Sequence, residues 1–496
     1  MPVERELKFR LPAGATSRLW GLLPGSPSVR RRTVESVYYD TADRRLLASG
    51  AALRLRRDGR RWLVTFKYEQ MPGSGLAQRS EWEAPASRSG FALGALPLAE
   101  IRKATGVDLQ RLEGRLVPLF ATSFVRRSAD IALPPGTEIE VSLDAGEVVA
   151  GRRRAPIEEL ELELRAGDLG ALLTFAEGLV EPLALQLEPN SKAERGYRLA
   201  ARERRAPVKG RWPSLERSES AERGMLAVLH ACLAQVEGNV FGFLHAIDPE
   251  YLHQLRVGLR RMRSALRTFE GLGEREAFRA LSTRLKELMP ELGTARDWDV
   301  LFAQFAEAQG WADPKLADLM RRARARRSTA RKRARALAGS AHFQLTLLGA
   351  LRWMHETPWK VGPDQAPRLV RYAAHVLARL ERKLSRQGGD IRWSDPVQRH
   401  RLRIRVKRLR YACEPFAELF GQHRTRRYLE HLEALQDILG DLNDIAVGRR
   451  LVNELSGGPE AQGGEFMRGW FAGREAELLR RLEVNWRAWR KTKRPW

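Results

Sequence analysis

Cysteine is nearly absent from this chain of 496 residues: Cys232 and Cys413 are the only two. Both fall in helical patterns and neither stands in a metal-ligand spacing. That excludes a disulfide scaffold and a thiolate metal centre, and it points to a reducing compartment. Long apolar runs are lacking as well. None approaches the ~18–20 residues that a bilayer span needs, and residues 1–11 alternate charged and apolar types, unlike a signal peptide. A soluble, cytoplasmic protein is expected, with no membrane partner. Histidine is missing from the first 229 residues, and all nine lie between His230 and His431. Acid is in deficit: 61 Asp and Glu face 87 Lys and Arg, a formal charge of +26. Lysine is scarce beside arginine, 13 to 74, a bias that suits bidentate phosphate contacts and that a GC-rich genome would also produce. With 43% hydrophobic residues the chain can bury a core, so the charge excess calls for an anionic partner: nucleic acid, a membrane surface or a phosphate compound.

The deficit is uneven. Residues 1–205 hold 33 basic and 27 acidic residues, whereas 206–496 hold 54 and 34. The patterning changes at the same place. Strict alternation over 3–10, 53–57, 62–67, 79–83, 138–143 and 158–164 predicts strands, interrupted by helical patterns at 15–23, 98–105 and 169–179. A barrel or sandwich is expected there. An Arg- and Pro-bearing linker follows at 204–218, and from 219 the apolar spacing is helical. This second part repeats itself. His253-Gln-Leu-Arg-Val-Gly-Leu-Arg-Arg-Met-Arg and His400-Arg-Leu-Arg-Ile-Arg-Val-Lys-Arg-Leu-Arg open two 17-residue segments with seven identities at an offset of 147. The same offset aligns Leu292, Gly293 and Asp297 with Leu439, Gly440 and Asp444. Two related helical bundles are expected, about 219–340 and 365–496, joined through 321–335 and 353–367.

Alternation puts Glu4, Glu6 and Lys8 on one strand face and Leu7 and Phe9 on the other. Arg54 and Arg56, Arg79, Glu81 and Glu83, and Glu159, Glu161 and Glu163 are arranged likewise, and Lys67 ends another such strand. Solvated outer faces would explain one such strand. Five of them, acidic and basic on different strands, suit a chamber that holds a cation and a polyanion together. The ordered series Glu4-x-Glu6-x-Lys8, Tyr38-Tyr39-Asp40-Thr41, Leu53-Arg54-Leu55-Arg56, Thr65-Phe66-Lys67, Arg79-Ser80-Glu81-Trp82-Glu83, Arg126, Glu140-Val-Ser-Leu-Asp144, Glu159-Leu-Glu-Leu-Glu163 and Ser191-Lys192 resembles the CYTH family, the triphosphate tunnel metalloenzymes. The resemblance covers about 1–203. It implies an eight-stranded antiparallel barrel with a charged tunnel, Mg²⁺ or Mn²⁺, and a triphosphate-containing substrate. Carried over position by position, Glu4, Glu6, Glu161 and Glu163, and more weakly Asp144, would hold metal. Lys8, Arg54, Arg56, Lys67, Arg126 and Lys192 would hold triphosphate, and Glu81 and Glu83 would order the basic residues or a water.

On the two repeated helices, His253, Arg256, Arg260, Arg263 and Arg267, and His400, Arg403, Lys407 and Arg410, form basic stripes opposite apolar ones. A solvated polar face is usually mixed in sign; these stripes contain no acid and recur in both copies. Asp297 and Asp444 are expected to cap a helix or to pair with a stripe arginine. The stripes, with Leu292-Gly293-Thr-Ala-Arg296-Asp297 and Leu439-Gly440-Asp-Leu-Asn443-Asp444, resemble the CHAD family over about 215–496. This implies a basic groove between two four-helix bundles that binds inorganic polyphosphate, with His253, Arg256, Arg260, Arg263, His400, Arg403, Lys407 and Arg410 as its ligands. The two-part order resembles bacterial CYTH–CHAD inorganic triphosphatases.

The expected fold class is therefore α+β and multidomain: a barrel with flanking helices over 1–203 and an all-α part over 219–496. The expected activity is metal-dependent hydrolysis of inorganic triphosphate to diphosphate and phosphate, alongside polyphosphate, with an association with polyphosphate granules. Thiamine triphosphate or a nucleoside triphosphate is the alternative substrate, and a polyphosphate-binding or -targeting protein with a weak or inactive barrel the alternative class. No groove-reading motif argues for specific nucleic-acid binding.

Overall fold

A computed structural model describes residues 3–12, 14–69, 76–308, 314–356, 367–389, 391–457 and 464–496. Eight strands close a barrel: β1 (Val3–Arg10), β2 (Arg30–Thr41), β3 (Ala51–Asp58), β4 (Arg61–Glu69), β5 (Leu76–Pro85), β6 (Leu116–Leu133), β7 (Thr137–Ala150) and β8 (Arg153–Ala166). Their order is β5-β4-β3-β2-β6-β7-β8-β1, and a β1–β5 pairing seals the ring. The two-residue β9 (Gln186–Leu187) adds to β1. Of the helices in this part, α1 (Thr16–Leu19) and α2 (Arg45–Ala48) are short, and α3 (Leu98–Thr105), α4 (Leu169–Leu183) and α5 (Lys192–Ala201) are longer.

Closure leaves the strands no free edge and divides each into an inner and an outer row. The outer rows of β3–β5 bury Leu53, Val64, Phe66 and Trp82 against Leu46 of α2 and Ile101 of α3. The inner rows carry the charge. α5 stops one end of the barrel: its Tyr197 sits edge-on to Phe120, which stacks on Tyr38 at 4.5 Å, within a buried cluster that includes Phe124 and Val148. Gly196 allows this approach, because a Cβ there would lie 2.0 Å from the Phe120 ring. Ser191 opens α5 with a capping box to Glu194, which fixes the following residue, Lys192, at the inner end.

The remaining helices are α6 (Ala221–His245), α7 (Glu250–Phe269), α8 (Arg275–Glu287), α9 (Met289–Glu307), α10 (Pro314–Ala338), α11 (Ala341–Glu356), α12 (Leu369–Gly389), α13 (Pro396–Cys413), α14 (Gln422–Ser456) and α15 (Glu465–Lys491). The offset of 147 carries α6 onto α12, α7 onto α13, α8 and α9 together onto α14, and α10 onto α15. The copies differ at one joint. Pro290, which lacks a backbone N–H, lies in the first turn of α9 where helix α8 has just ended, whereas the aligned Asp437 sits inside the unbroken 35-residue α14. The basic stretch 321–335, expected to join the halves, is instead the body of α10; residues 357–366 of the other joining segment lie outside the described residues.

Two compact units emerge. One comprises Met1–Val208 with Glu237–His245 and Gly339–Glu356; the other comprises Lys209–Val236, Ala246–Ala338 and Thr357–Trp496. Helix α11 thus packs with the barrel, on α4. Contrary to the expectation of no span-length apolar segment, α6 is long and apolar enough to cross a membrane by length and composition, and 61% of its apolar window is buried inside the protein. Cys232 and Cys413 are both buried and free.

Candidate active site and a basic cluster on the repeated helices

Antiparallel pairing places directly opposed residues on the same face. On β1 and β8, Glu6 opposes Glu163, Lys8 opposes Glu161 and Arg10 opposes Glu159. Arg126 opposes Asp144 across β6 and β7, Lys67 opposes Glu81 across β4 and β5, and Arg54 opposes Thr65 across β3 and β4. The structure thereby brings together all thirteen barrel residues singled out from sequence: Glu4, Glu6, Lys8, Arg54, Arg56, Lys67, Glu81, Glu83, Arg126, Asp144, Glu161, Glu163 and Lys192.

These charges form three neighbourhoods. In the first, Lys192 bonds Asp144 at 2.7 Å, Glu161 at 2.9 Å and also Glu159. Arg126 grips Asp144 with two nitrogens at 2.6 and 2.7 Å and also reaches Glu161. Asp144, Glu159 and Glu161 are all buried, and their oxygens lie within 4.8 Å of one another. Burial alone would push the Glu161 carboxyl up, but Lys192, Arg126 and Lys8 hold it well below the usual carboxylate range. In the second, Glu6 pairs with Arg79 at 2.6 Å and Lys8 at 3.0 Å, and Glu4 pairs with Lys67 at 2.9 Å. Glu163 has Arg165 at 2.5 Å, yet burial together with Glu4 and Glu6 pushes its carboxyl up to about 8. In the third, Lys67 and Arg54 share Glu81 at 2.7 and 3.4 Å, Arg56 meets Asp58 at 3.0 Å, and Thr65 donates to Glu83 at 2.8 Å. Burial raises the Tyr38 phenol, but Arg54, Lys192 and Lys67 outweigh it and draw it below its ordinary value.

Oxygen-only donors packed this closely suit a hard divalent ion. The second neighbourhood fits best: Glu163 pairs with Arg165, yet burial and the neighbouring Glu4 and Glu6 raise its carboxyl, a crowding of acids that a bound cation would relieve. In the first, the Lys192 ammonium already stands among the three acids. Sequence reasoning did not assign roles to Glu159, Arg79, Glu140 or Arg165. Alternation put Glu159 and Arg79 on the correct faces, so the signal was present for those two.

On the repeated helices, α7 packs on α13 and α9 on α14. The Arg256 guanidinium lies over Gly293, where a Cβ would be 2.8 Å from its Nη1; nothing approaches the equivalent Gly440. Arg256 Nη1, Arg260 Nε, Arg263 Nε and Arg403 Nε are buried without hydrogen-bond partners. Burial and the neighbouring arginines depress Arg256 to about 10 and Lys407 to about 6; Arg260 acts on both and on Arg403. His253 is drawn down to about 4 by burial and by Arg296, and His400 is exposed. Arg410 departs from the acid-free stripe, pairing with Glu414 and Glu433, both at 2.8 Å. Asp297 and Asp444 lie mid-helix and cap nothing; Asp297 instead feels Arg256 and Arg403. Asp299 is taken up by Arg327 and Arg331 at 2.6 and 2.9 Å.

The family comparison separates the chain along the same line. Residues 3–197 match the CYTH domain and residues 227–453 match the CHAD domain. The chain is a CYTH domain followed by a CHAD domain. An inorganic triphosphatase from Haemophilus influenzae is 30% identical over 196 residues, 38% of this chain and 52% of the relative, so the chain spans about half the length of that curated relative. The CHAD domain from the plant Ricinus communis aligns at 29% identity with a TM-score of 0.52, covering 59% of this chain and 99% of the other. The CYTH barrel thus carries the mixed-charge chamber, and the CHAD helices carry the unpaired cations.

Proposed function

We propose that the CYTH barrel hydrolyses inorganic triphosphate to diphosphate and phosphate with Mg²⁺ or Mn²⁺, and that the CHAD helices bind inorganic polyphosphate. The observation that carries the first half is the inner lining, where acids and bases interleave on a rigid closed scaffold. Lys8, Arg54, Arg56, Lys67, Arg126 and Lys192 exchange carboxylate partners for phosphoryl oxygens as substrate enters, and their fixed strand positions orient the chain. Glu4, Glu6 and Glu163 would hold the divalent ion, which supplies Lewis-acid polarisation of phosphoryl oxygens when bound. Glu81 keeps Lys67 and Arg54 in place, and Glu83, held by Thr65, stands beside them to order a water. The aromatic side chains near the site are already engaged: Lys192 Nζ lies 5.0 Å from the Phe124 ring centre and Tyr38 stacks on Phe120. Among the described residues these rings are already stacked or covered by a cation, which favours the bare polyanion over a nucleotide or thiamine triphosphate.

The test is a substrate panel of triphosphate, thiamine triphosphate, ATP and long polyphosphate, with and without metal. Release of phosphate from triphosphate only in the presence of metal is expected. Metal-independent turnover, or preference for an organic triphosphate, overturns the reading.

A further inference from the structure

A pocket of about 530 Å³ opens on the CYTH unit, and none of its lining residues belongs to the charged chamber. Four arginines from three separate elements meet there: Arg44 from the turn after β2, Arg152 and Arg153 from the β7–β8 hairpin, and Arg202 from the end of α5. Its remaining walls include Pro118 and Leu119 with small residues, and no aromatic side chain lines it.

The acids nearby do not balance these arginines. Glu203 pairs with Arg44 at 3.3 Å, a half-exposed contact of the weak surface kind. Asp43 is occupied by Arg45 at 2.9 Å and Arg115 at 3.5 Å. The side chains of Arg152 and Arg202 have no hydrogen-bond or ion-pair partner among the described residues. Arg153 gives one nitrogen to the carbonyl of Ala200 at 3.4 Å, which covers the negative end of α5, and its other terminal nitrogen is buried without a partner. The backbone adds a separate observation. Among the described residues four non-glycines have positive φ, and two of them are Arg44 (57°) and Arg202 (60°). Both positions suit glycine or asparagine better, yet both bear guanidinium groups that face one pocket.

We propose that this pocket is an oxyanion site, distinct from the chamber and from the CHAD cluster, that takes a short phosphate chain. Planar guanidinium forks match phosphate oxygens in pairs, and several forks around an open cavity match several linked phosphates. A nucleotide lacks the aromatic surface it would need. The site stands whether or not the barrel is a triphosphatase.

The experiment is hydrogen exchange with mass spectrometry on the full chain, with inorganic diphosphate and, separately, long-chain polyphosphate. Peptides covering 148–154 and 198–203 are expected to exchange more slowly, by roughly tenfold when ligand is at ten times its dissociation constant. The double variant Arg152→Glu, Arg202→Gln removes two exposed side chains without partners and should lose that slowing. Slowing by diphosphate identifies a free short chain as the ligand, and slowing by polyphosphate alone identifies a segment of a long one. No slowing with either probe, or the same slowing in the double variant, overturns the site.

Discussion

The CYTH chamber and the CHAD cluster hold comparable numbers of cations in opposite electrical states. In the chamber, Lys67, Arg126 and Lys192 lie against carboxylates, and with those acids beside them the cations hold their protons more firmly than usual. In the cluster, burial and the nearby arginines, Arg260 above all, outweigh Asp297 and Asp444, and Arg256, Arg403 and Lys407 shed protons more easily than usual. A balanced site binds by exchanging partners, which rewards correct geometry. An unbalanced site binds by relief of repulsion, which rewards charge of any spacing. The first suits a reaction on one small polyanion, and the second suits retention of a long one.

The sharpest way to break the comparison is to remove chamber acids. Glu6→Gln and Glu161→Gln should each lower triphosphate turnover by roughly 10²-fold or more, with polyphosphate binding unchanged in a filter assay. Loss of both together would mean that the parts are not separable. Next in size is charge reversal of Arg256 and Arg403. Polyphosphate affinity should fall at least tenfold, and the slope of log affinity against log salt should become shallower by about 0.7 for each lost contact. Arg324→Glu with Arg326→Glu, on the exposed face of α10, should change affinity far less; equal effects would mean diffuse attraction.

A smaller effect sharpens the electrical contrast. Lys407, drawn down to about 6, is largely neutral above that pH in the free protein, and bound phosphate favours its ammonium. Affinity should therefore fall as pH rises from 6 towards 8, by up to about tenfold per unit, with proton uptake on binding. Calorimetry in two buffers of different ionisation heat measures that uptake, and a buffer-independent heat would refute it. The least of these effects concerns fold alone. Gly196→Ala should destabilise the CYTH domain by about 1–3 kcal/mol, because Phe120 cannot make room cheaply; denaturant melts of the full chain would report it.

Much of the chamber was legible because charge alternates with apolar residues on narrow strands. β1, β3, β4 and β5 announce their faces that way, and antiparallel pairing does the rest. β2 and β6 were harder. β2 opens on Arg30-Arg31-Arg32, and β6 runs for 18 residues with its polar and apolar residues out of strict alternation. The plug was invisible for a related reason: Tyr38, Phe120 and Tyr197 look like ordinary core residues until the register shows Tyr38 opposite Arg54, on the inner face. In the CHAD helices the spacing revealed the stripes but not their partners. Arg410 lost its freedom to Glu414, one turn along, and to Glu433 on α14, which only the tertiary packing brings near.

The plug also governs traffic. A barrel stopped at α5 by Tyr38, Phe120, Phe124 and Tyr197 is a cul-de-sac. Whatever comes in at the far end must back out the same way, so the cleavage proposed above would send its two products out in single file, the deeper piece behind the other.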